Sequence, residues 1–453
     1  MGLVFLVALL LIACAPVLAE LRAGAAKADI TPDLGKYPGT YVAGFGQNRV
    51  ATGIHDRLYA ACLALSTGKR PLVMCGVDSI GLFLEDVEKA RRQVGQADLV
   101  VAATHNHNTP DTMGLWGRFY FFSGISEAYN QMVVDRIAEA ARRALSSMEP
   151  AVLTLAKSRT GELEGLIHDN RPPVVRDPEL VVLAARSLAG RTIGALVNWA
   201  NHPETLGSKN TLITADYTGY LTRRLEGQLG GTAVFINGAV GGLQSTLGVK
   251  VKDPATGRTA PDNSFEKTEL IGRRVADHAM EALRQAKPSD VDDIVFQERK
   301  ISIPVSNFAF RIAAFVNIHK GRKPRNPDGT TTTPVGVIRM KAKGACVLEI
   351  ALVPGEIYPE LSQGGVERYP GADFPDAPIE PAIKQMMTAP YRMLFGLADD
   401  EIGYIIPKAE WDNSSPWLKN AAKRWYGEIN SVGPEAAPRI TRTLQDLFGQ
   451  APR

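Results

Sequence analysis

Seven histidines occur in the 453 residues, and two of them, His105 and His107, stand one residue apart in ATHNHNTPD, directly after the apolar run Leu99 to Ala103. Alternate residues of a strand point to one side, so a pair at a strand's end can face one cleft, where sheet proteins place their sites. His202 follows another apolar run, and Glu356 follows a third, IALVPG. Two imidazoles and a carboxylate, each aimed by a strand end, suit zinc: borderline-soft nitrogens, one anionic oxygen, and a fourth tetrahedral position left for water. The same residues also read as polar loop positions and a strand cap, because an HNH triplet is not diagnostic. Asp78 and Asp216 each end or follow an apolar run. They read either as partners that orient a ligand histidine or as helix N-caps.

The elements that must position these residues follow from periodicity. DRLYAACLALS and RPLVMCGVD, joined by Thr67-Gly68-Lys69, predict a hairpin. LEDVEKARRQVG is a helix closed by glycine, ADLVVAAT is the strand that ends at the paired histidines, and ISEAYNQMVVDRIAEAARRALSSM is a long amphipathic helix. AVLTLAKSR, TIGALVNWA and GTAVFING read as strands, and DYTGYLTRRLEGQLG and EKTELIGRRVADHAMEALRQA as helices. This alternation predicts an α/β fold, a mixed β-sheet core with flanking helices. Past Ser289 the texture changes: VIRMKAKGACVLEIALVPGE predicts a hairpin about Lys343-Gly344 whose second strand runs to Glu356. Residues 249–264 and 319–334 read as polar loops, and the basic HKGRKPRNP in the second reads as a solvated loop, with attraction to an anionic lipid surface as the sharper alternative.

Composition excludes several classes. With 45% apolar and 22% charged residues, this is an ordinary globular chain, and a net charge of +3 gives no reason to expect a nucleic-acid partner. No stretch of the sequence sets an oligomeric state. The leader MGLVFLVALLLIACAPVLAE is uncharged up to Glu20, the apolar region of an export signal and too short for a membrane span. Residues 1–19 are therefore expected to be a signal peptide or a lipoprotein signal, and residues 20–453 one catalytic domain. Cleavage before Glu20 competes with lipidation of Cys14 in LIAC. The widely spaced Cys62, Cys75 and Cys346 form no disulfide framework; inert buried thiols are the favoured reading and a single disulfide the other.

The chain resembles the neutral, non-lysosomal ceramidases in their N-terminal catalytic domain. The resemblance runs in order through KADITP, GFGQ, GIHDRLYA, ATHNHNTPD, DNRPP, NHPETL with LITADYTGYL, VPGE and GYIIPKAEW, from about residue 27 to 430. It implies one zinc per chain held by His105, His202, Glu356 and Tyr404, with His107 in the site but not a primary ligand. Arg171 matches an arginine near the scissile amide. The implied activity is hydrolysis of a linear N-acyl amide in an amphiphilic, sphingolipid-like small molecule. Such zinc activates water near neutral pH; Arg171 or Tyr404 would stabilise the oxyanion, and His107 would carry the proton to the leaving amine.

Two departures qualify the substrate. A serine of the family's glycine-containing turn is replaced by Gly241 in NGAVGGLQ, so a serine nucleophile is not expected, and the turn reads as lining the cleft. The family's C-terminal immunoglobulin-like domain is not expected either, which leaves amide hydrolysis firmer than ceramide itself. An ester or another N-acyl amide is the alternative substrate, and a non-catalytic exported lipid- or glycan-binding protein the alternative class. A metallo-β-lactamase pattern fails because Asn108-Thr109 follow His107, and no phosphate-loop motif accompanies NGAVGG.

Overall fold

The apolar runs become strands of one large mixed sheet in the computed structural model, which describes residues 21–323 and 326–449. The leader, with Cys14 and the junction before Glu20, lies outside the described residues. The strands are β1 (Arg22–Asp29), β2 (Tyr59–Ser66), β3 (Leu72–Val77), β4 (Asp98–Ala103), β5 (Glu149–Ser158), β6 (Leu180–Ser187), β7 (Thr192–Trp199) and β8 (Thr232–Asn237). Their order is β8-β7-β6-β5-β1-β2-β3-β4, and Pro288–Ser289 adds a ninth short strand beside β5. The two edge pairs, β3·β4 and β7·β8, are parallel.

Helices connect both parallel pairs, as crossovers require: α1 (Leu84–Val94) joins β3 to β4, and α3 (Asp216–Leu229) joins β7 to β8. Each is stopped by a glycine, Gly95 and Gly230, at positive φ. Beside them lie α2 (Glu127–Ser146) and α4 (Phe265–Gln285), capped by the Ser126 and Ser264 hydroxyls. Val133, Val134 and Ile137 of α2 bury one half of the sheet's outer face, and Ile271, Val275 and Ala279 of α4 the other.

The sheet is rolled, and small residues permit it. A Cβ on Gly76 of β3 would stand 2.1 Å from the Phe235 carbonyl oxygen of β8. The β8 edge therefore lies against β3, next to the opposite edge, and Asn237 at the end of β8 donates to the Thr104 carbonyl beyond β4 at 2.9 Å. Inside the roll, Leu63, Met74, Leu196 and Ile236 pack on Ile338, Leu348, Ile350 and Phe395 of a second sheet. Each such buried side chain stabilises by about 1.5–3 kcal/mol.

The second sheet has β9 (Val291–Pro304), β10 (Thr330–Ala342), β11 (Ala345–Leu352) and β13 (Tyr391–Phe395), in the order β9-β10-β11-β13. The hairpin about Lys343-Gly344 is β10–β11, but β11 ends at Leu352. Glu356 instead opens β12 (Glu356–Ile357), which runs parallel to β14 (Tyr404–Ile405) with Glu356 opposite Tyr404.

Three further expectations are corrected. Cys62 and Cys75 stand directly opposite in the β2–β3 hairpin and are disulfide-bonded, not inert thiols; facing positions of an antiparallel pair are the closest neighbours in a sheet. The loop expected over 319–334 ends before Thr330, where β10 begins. Its basic residues are not all solvated either: Arg322 is buried on Asp86 and Glu127, and Lys323 pairs with Asp400.

Candidate metal centre

The rolled sheet brings the ends of β4 and β7 together, and with them the histidines. β4 ends at Ala103, and His105 has a left-handed φ of 64°. His105 and His107 therefore converge through a loop rather than through strand alternation. That loop is fixed by amide side chains. Asn106 donates to the Thr214 carbonyl at 2.8 Å and accepts from the Asn108 N–H at 2.8 Å, while the His107 N–H donates to the Pro203 carbonyl at 3.1 Å.

The three imidazoles of His105, His107 and His202 are buried, with ring centroids 4.8–5.3 Å apart. One nitrogen of each lies within 4.8 Å of the others, a spacing that can hold a metal ion. His105 Nδ1 bonds the Ile80 carbonyl at 2.7 Å and His202 Nδ1 the Gln244 carbonyl at 2.6 Å. Both rings therefore present Nε2 inward, and both Nε2 atoms lie 3.2 Å from the same Glu356 oxygen. Anchoring the outer nitrogen to a carbonyl is how proteins fix a ligand histidine's tautomer and aim. Both nitrogens of His107 lack a hydrogen bond, although Nδ1 stands 3.3 Å from a Glu204 oxygen. A buried imidazole without partners beside two inward-facing ones fits a cation-binding centre.

The electrostatics agree. Burial would raise the Glu356 carboxyl, but His105 and His202 hold it far below the usual carboxylate range. Burial also opposes charge on His202; its hydrogen bond to Glu356 and the Glu204 carboxylate outweigh that and raise its pKa. His107 is pushed well down by burial, then by the two neighbouring imidazoles. Tyr404, hydrogen-bonded to Glu356, is raised well above the usual phenol value, chiefly by burial and then by that carboxylate.

These groups floor a cavity of about 990 Å³, counted with the solvent at its mouth. His105, His107, Glu356 and Tyr404 line it at one side, and Ile80, Phe83, Met113, Leu115, Trp116, Phe310 and Ile402 supply apolar walls. Glu401 also lines it, its carboxyl pushed well above the usual range by burial and then by Glu356, with one buried oxygen unpaired. Glu204 and Glu401 escape sequence reasoning. Glu204 sits two residues past His202, a spacing that parallels His105 and His107; Glu401 has no such signal.

Other predicted residues lie elsewhere. Arg171 does not line the cavity: its guanidinium lies behind the Tyr358 ring at 4.9 Å, bonded to Glu428 at 2.6 Å and Glu410 at 3.4 Å. Among the described residues Arg171 is thus held by buried carboxylates, one aromatic ring away from the cavity wall. Asp216 has no hydrogen bond or ion pair to His105, His107 or His202. It is the first residue of α3 rather than its cap, accepting from Thr205 at 2.8 Å, Asn108 at 3.1 Å and the Tyr217 N–H at 2.7 Å. Asp78 accepts from the Tyr59 N–H at 2.9 Å at the hairpin's mouth and touches none of the histidines. Burial pushes both carboxyls up to about 7. The Gly241 turn does not line the cavity but backs onto it: a Cβ there would stand 2.3 Å from the Tyr358 ring and 2.7 Å from the Glu356 carbonyl oxygen.

No family model matches the chain. A neutral ceramidase of Pseudomonas aeruginosa is 27% identical over 296 residues, 59% of this chain and 42% of that protein. One of Mycobacterium tuberculosis is 25% identical over 305 residues, 59% of this chain and 46% of that protein. The matched stretch thus spans less than half the length of these relatives. The crystal structure of neutral ceramidase from Pseudomonas aeruginosa superposes with a TM-score of 0.71 at 19% identity, over 95% of this chain and 74% of that one. A ceramidase complexed with C2 gives 0.69 at 17% identity, over 95% and 75%. The mixed α/β fold is theirs, and the chain is related to the neutral ceramidases.

Proposed function

We propose that the chain is a zinc-dependent hydrolase of a linear N-acyl amide carried by an amphiphilic molecule, ceramide among the candidates. The carrying observation is the convergence of His105 Nε2 and His202 Nε2 on one Glu356 oxygen at the floor of an apolar cavity. In this reading His105, His202 and Glu356 hold one zinc per chain, with Tyr404 beside Glu356 as the fourth protein group. Bound zinc supplies Lewis-acid activation of water and of the amide carbonyl. His107, whose nitrogens have no hydrogen bond, takes the proton to the leaving amine, a task suited to an imidazole. The Tyr404 phenol stays protonated and donates to developing charge. The apolar wall takes the acyl chain and excludes water.

The chain is further proposed to be exported, by cleavage before Glu20 or through lipidated Cys14, with residues 20–453 acting as one catalytic unit. The Cys62–Cys75 disulfide suits an oxidising compartment. The test pairs metal content with a hydrolysis screen over N-acyl amides, a matched ester and ceramide, using His105→Ala as control. About one zinc per chain and hydrolysis confined to the wild type are expected. Absence of metal, or equal activity in the two proteins, would overturn the reading in favour of a non-catalytic binder.

A further inference from the structure

Two segments that line the cavity also leave aromatic side chains in solvent. The loop 115–122 lines the cavity with Leu115 and Trp116 and then exposes Phe119, Tyr120, Phe121 and Phe122 in succession, Tyr120 by 74%. Phe121 holds a positive φ of 69°, which a bulky side chain adopts only under constraint, and such strain gathers at functional segments. The second segment, α5 (Phe308–Phe315), capped by Asn307, turns Phe310 and Ala313 into the cavity and leaves Phe308 and Phe315 exposed by 74% and 89%. The two segments are tied together. His319 Nδ1 bonds the Met113 carbonyl at 2.7 Å, and a Cβ on Gly114 would meet the Ile318 carbonyl oxygen at 2.2 Å. Soluble surfaces rarely gather large apolar side chains in one patch without a partner.

Charge selects the partner. Residues 112–126 and 305–327 contain no aspartate or glutamate. Arg118, Arg311 and Lys320 project from them and form no ion pair among the described residues. Exposed aromatic rings with unpaired cations beside them, and acidic residues only at the margins in Glu127 and Asp328, match the boundary of an anionic bilayer, where rings sink to the headgroup level and cations meet phosphates. Among the described residues no helix is long and apolar enough to cross a membrane, so the fit is to a surface.

We infer that the Phe119–Phe122 loop and the outer face of α5 dock this protein on an anionic lipid surface, holding the cavity mouth against the leaflet. Delivery of an acyl amide directly into the cavity rests on the hydrolase reading above; the docking itself does not.

Flotation with vesicles of equimolar phosphatidylcholine and phosphatidylglycerol tests the inference without metal or substrate. The wild type and His105→Ala should float alike, and less with phosphatidylcholine alone. The triple variant Phe119→Ser, Phe121→Ser, Phe122→Ser and the double variant Phe308→Ser, Phe315→Ser should each lose about tenfold in binding. Both should keep the wild-type circular dichroism, metal content and hydrolysis of a soluble short-chain amide. Wild type that fails to float, or folded variants that float as well as it does, would overturn the docking. So would sedimentation showing that the rim substitutions merely split a dimer. Flotation intact with no amide hydrolysis would instead remove the hydrolase reading and leave the docking in place.

Discussion

Two buried charged clusters flank Tyr358 and Tyr404, whose rings lie 6.0 Å apart. On the Tyr404 side, three imidazoles and Glu356 converge with their outer nitrogens or neighbours fixed and nothing at the centre but one another. On the Tyr358 side, Glu410 and Glu428 converge on a cation the chain itself supplies, Arg171, while burial and then Glu410 push the nearby Glu360 carboxyl well up. Burying charge is costly unless it is paired. One cluster is complete with protein atoms; the other is spaced so that it could hold an added cation. The difference teaches where to look for chemistry: not at the most buried charge, but at buried donors that converge without a cation of the chain among them.

That contrast breaks first at Glu356. Glu356→Gln should lower zinc to well under one per chain and hydrolysis on the order of a thousandfold, with the fold retained; metal analysis and steady-state rates read it. An unchanged metal content would place the ion on the His105, His107 and His202 nitrogens instead. Arg171→Met should act oppositely, keeping the metal while removing about 3–5 kcal/mol of stability, because Glu410 and Glu428 then lie buried without their cation. Urea unfolding checks it, and metal loss in the folded variant would merge the two clusters. Glu204→Gln should weaken zinc about 10–100-fold, through His107 and the His202 field rather than by removing a ligand, as competition with a chelator would show. The smallest effect is expected of Gly241→Ala: about 1–3 kcal/mol of stability from overpacking against Tyr358 and the Glu356 backbone. Wild-type unfolding in that variant would mean that the turn does not brace the floor.

The sequence reading held where signals are local. The β2–β3 hairpin, helices α1 to α4 and the strand before His105 lie where turn residues, caps and apolar periodicity place them. It missed β1 and β6, although turn residues follow both, Thr31-Pro32-Asp33 after β1 and Gly190 at positive φ after β6. It placed Glu356 at the end of a strand that stops four residues earlier. The Cys62–Cys75 bond was legible in principle: the turn at Gly68 sets the register that makes the two thiols face one another.

What the sequence determined by itself was which residues could meet a metal, since histidine, glutamate and their strand-end positions are properties of short segments. Only the tertiary structure decided that they do meet, because β4 and β7 belong to the two edge pairs of a sheet, and their ends come together only once it rolls and lays β8 against β3 and β4. The roll depends on glycine at 76 letting the Phe235 backbone approach, and on apolar burial against a second sheet far along the chain. It likewise decided that Arg171 faces carboxylates rather than the cavity, a matter of which side of Tyr358 the chain passes, which no local pattern encodes.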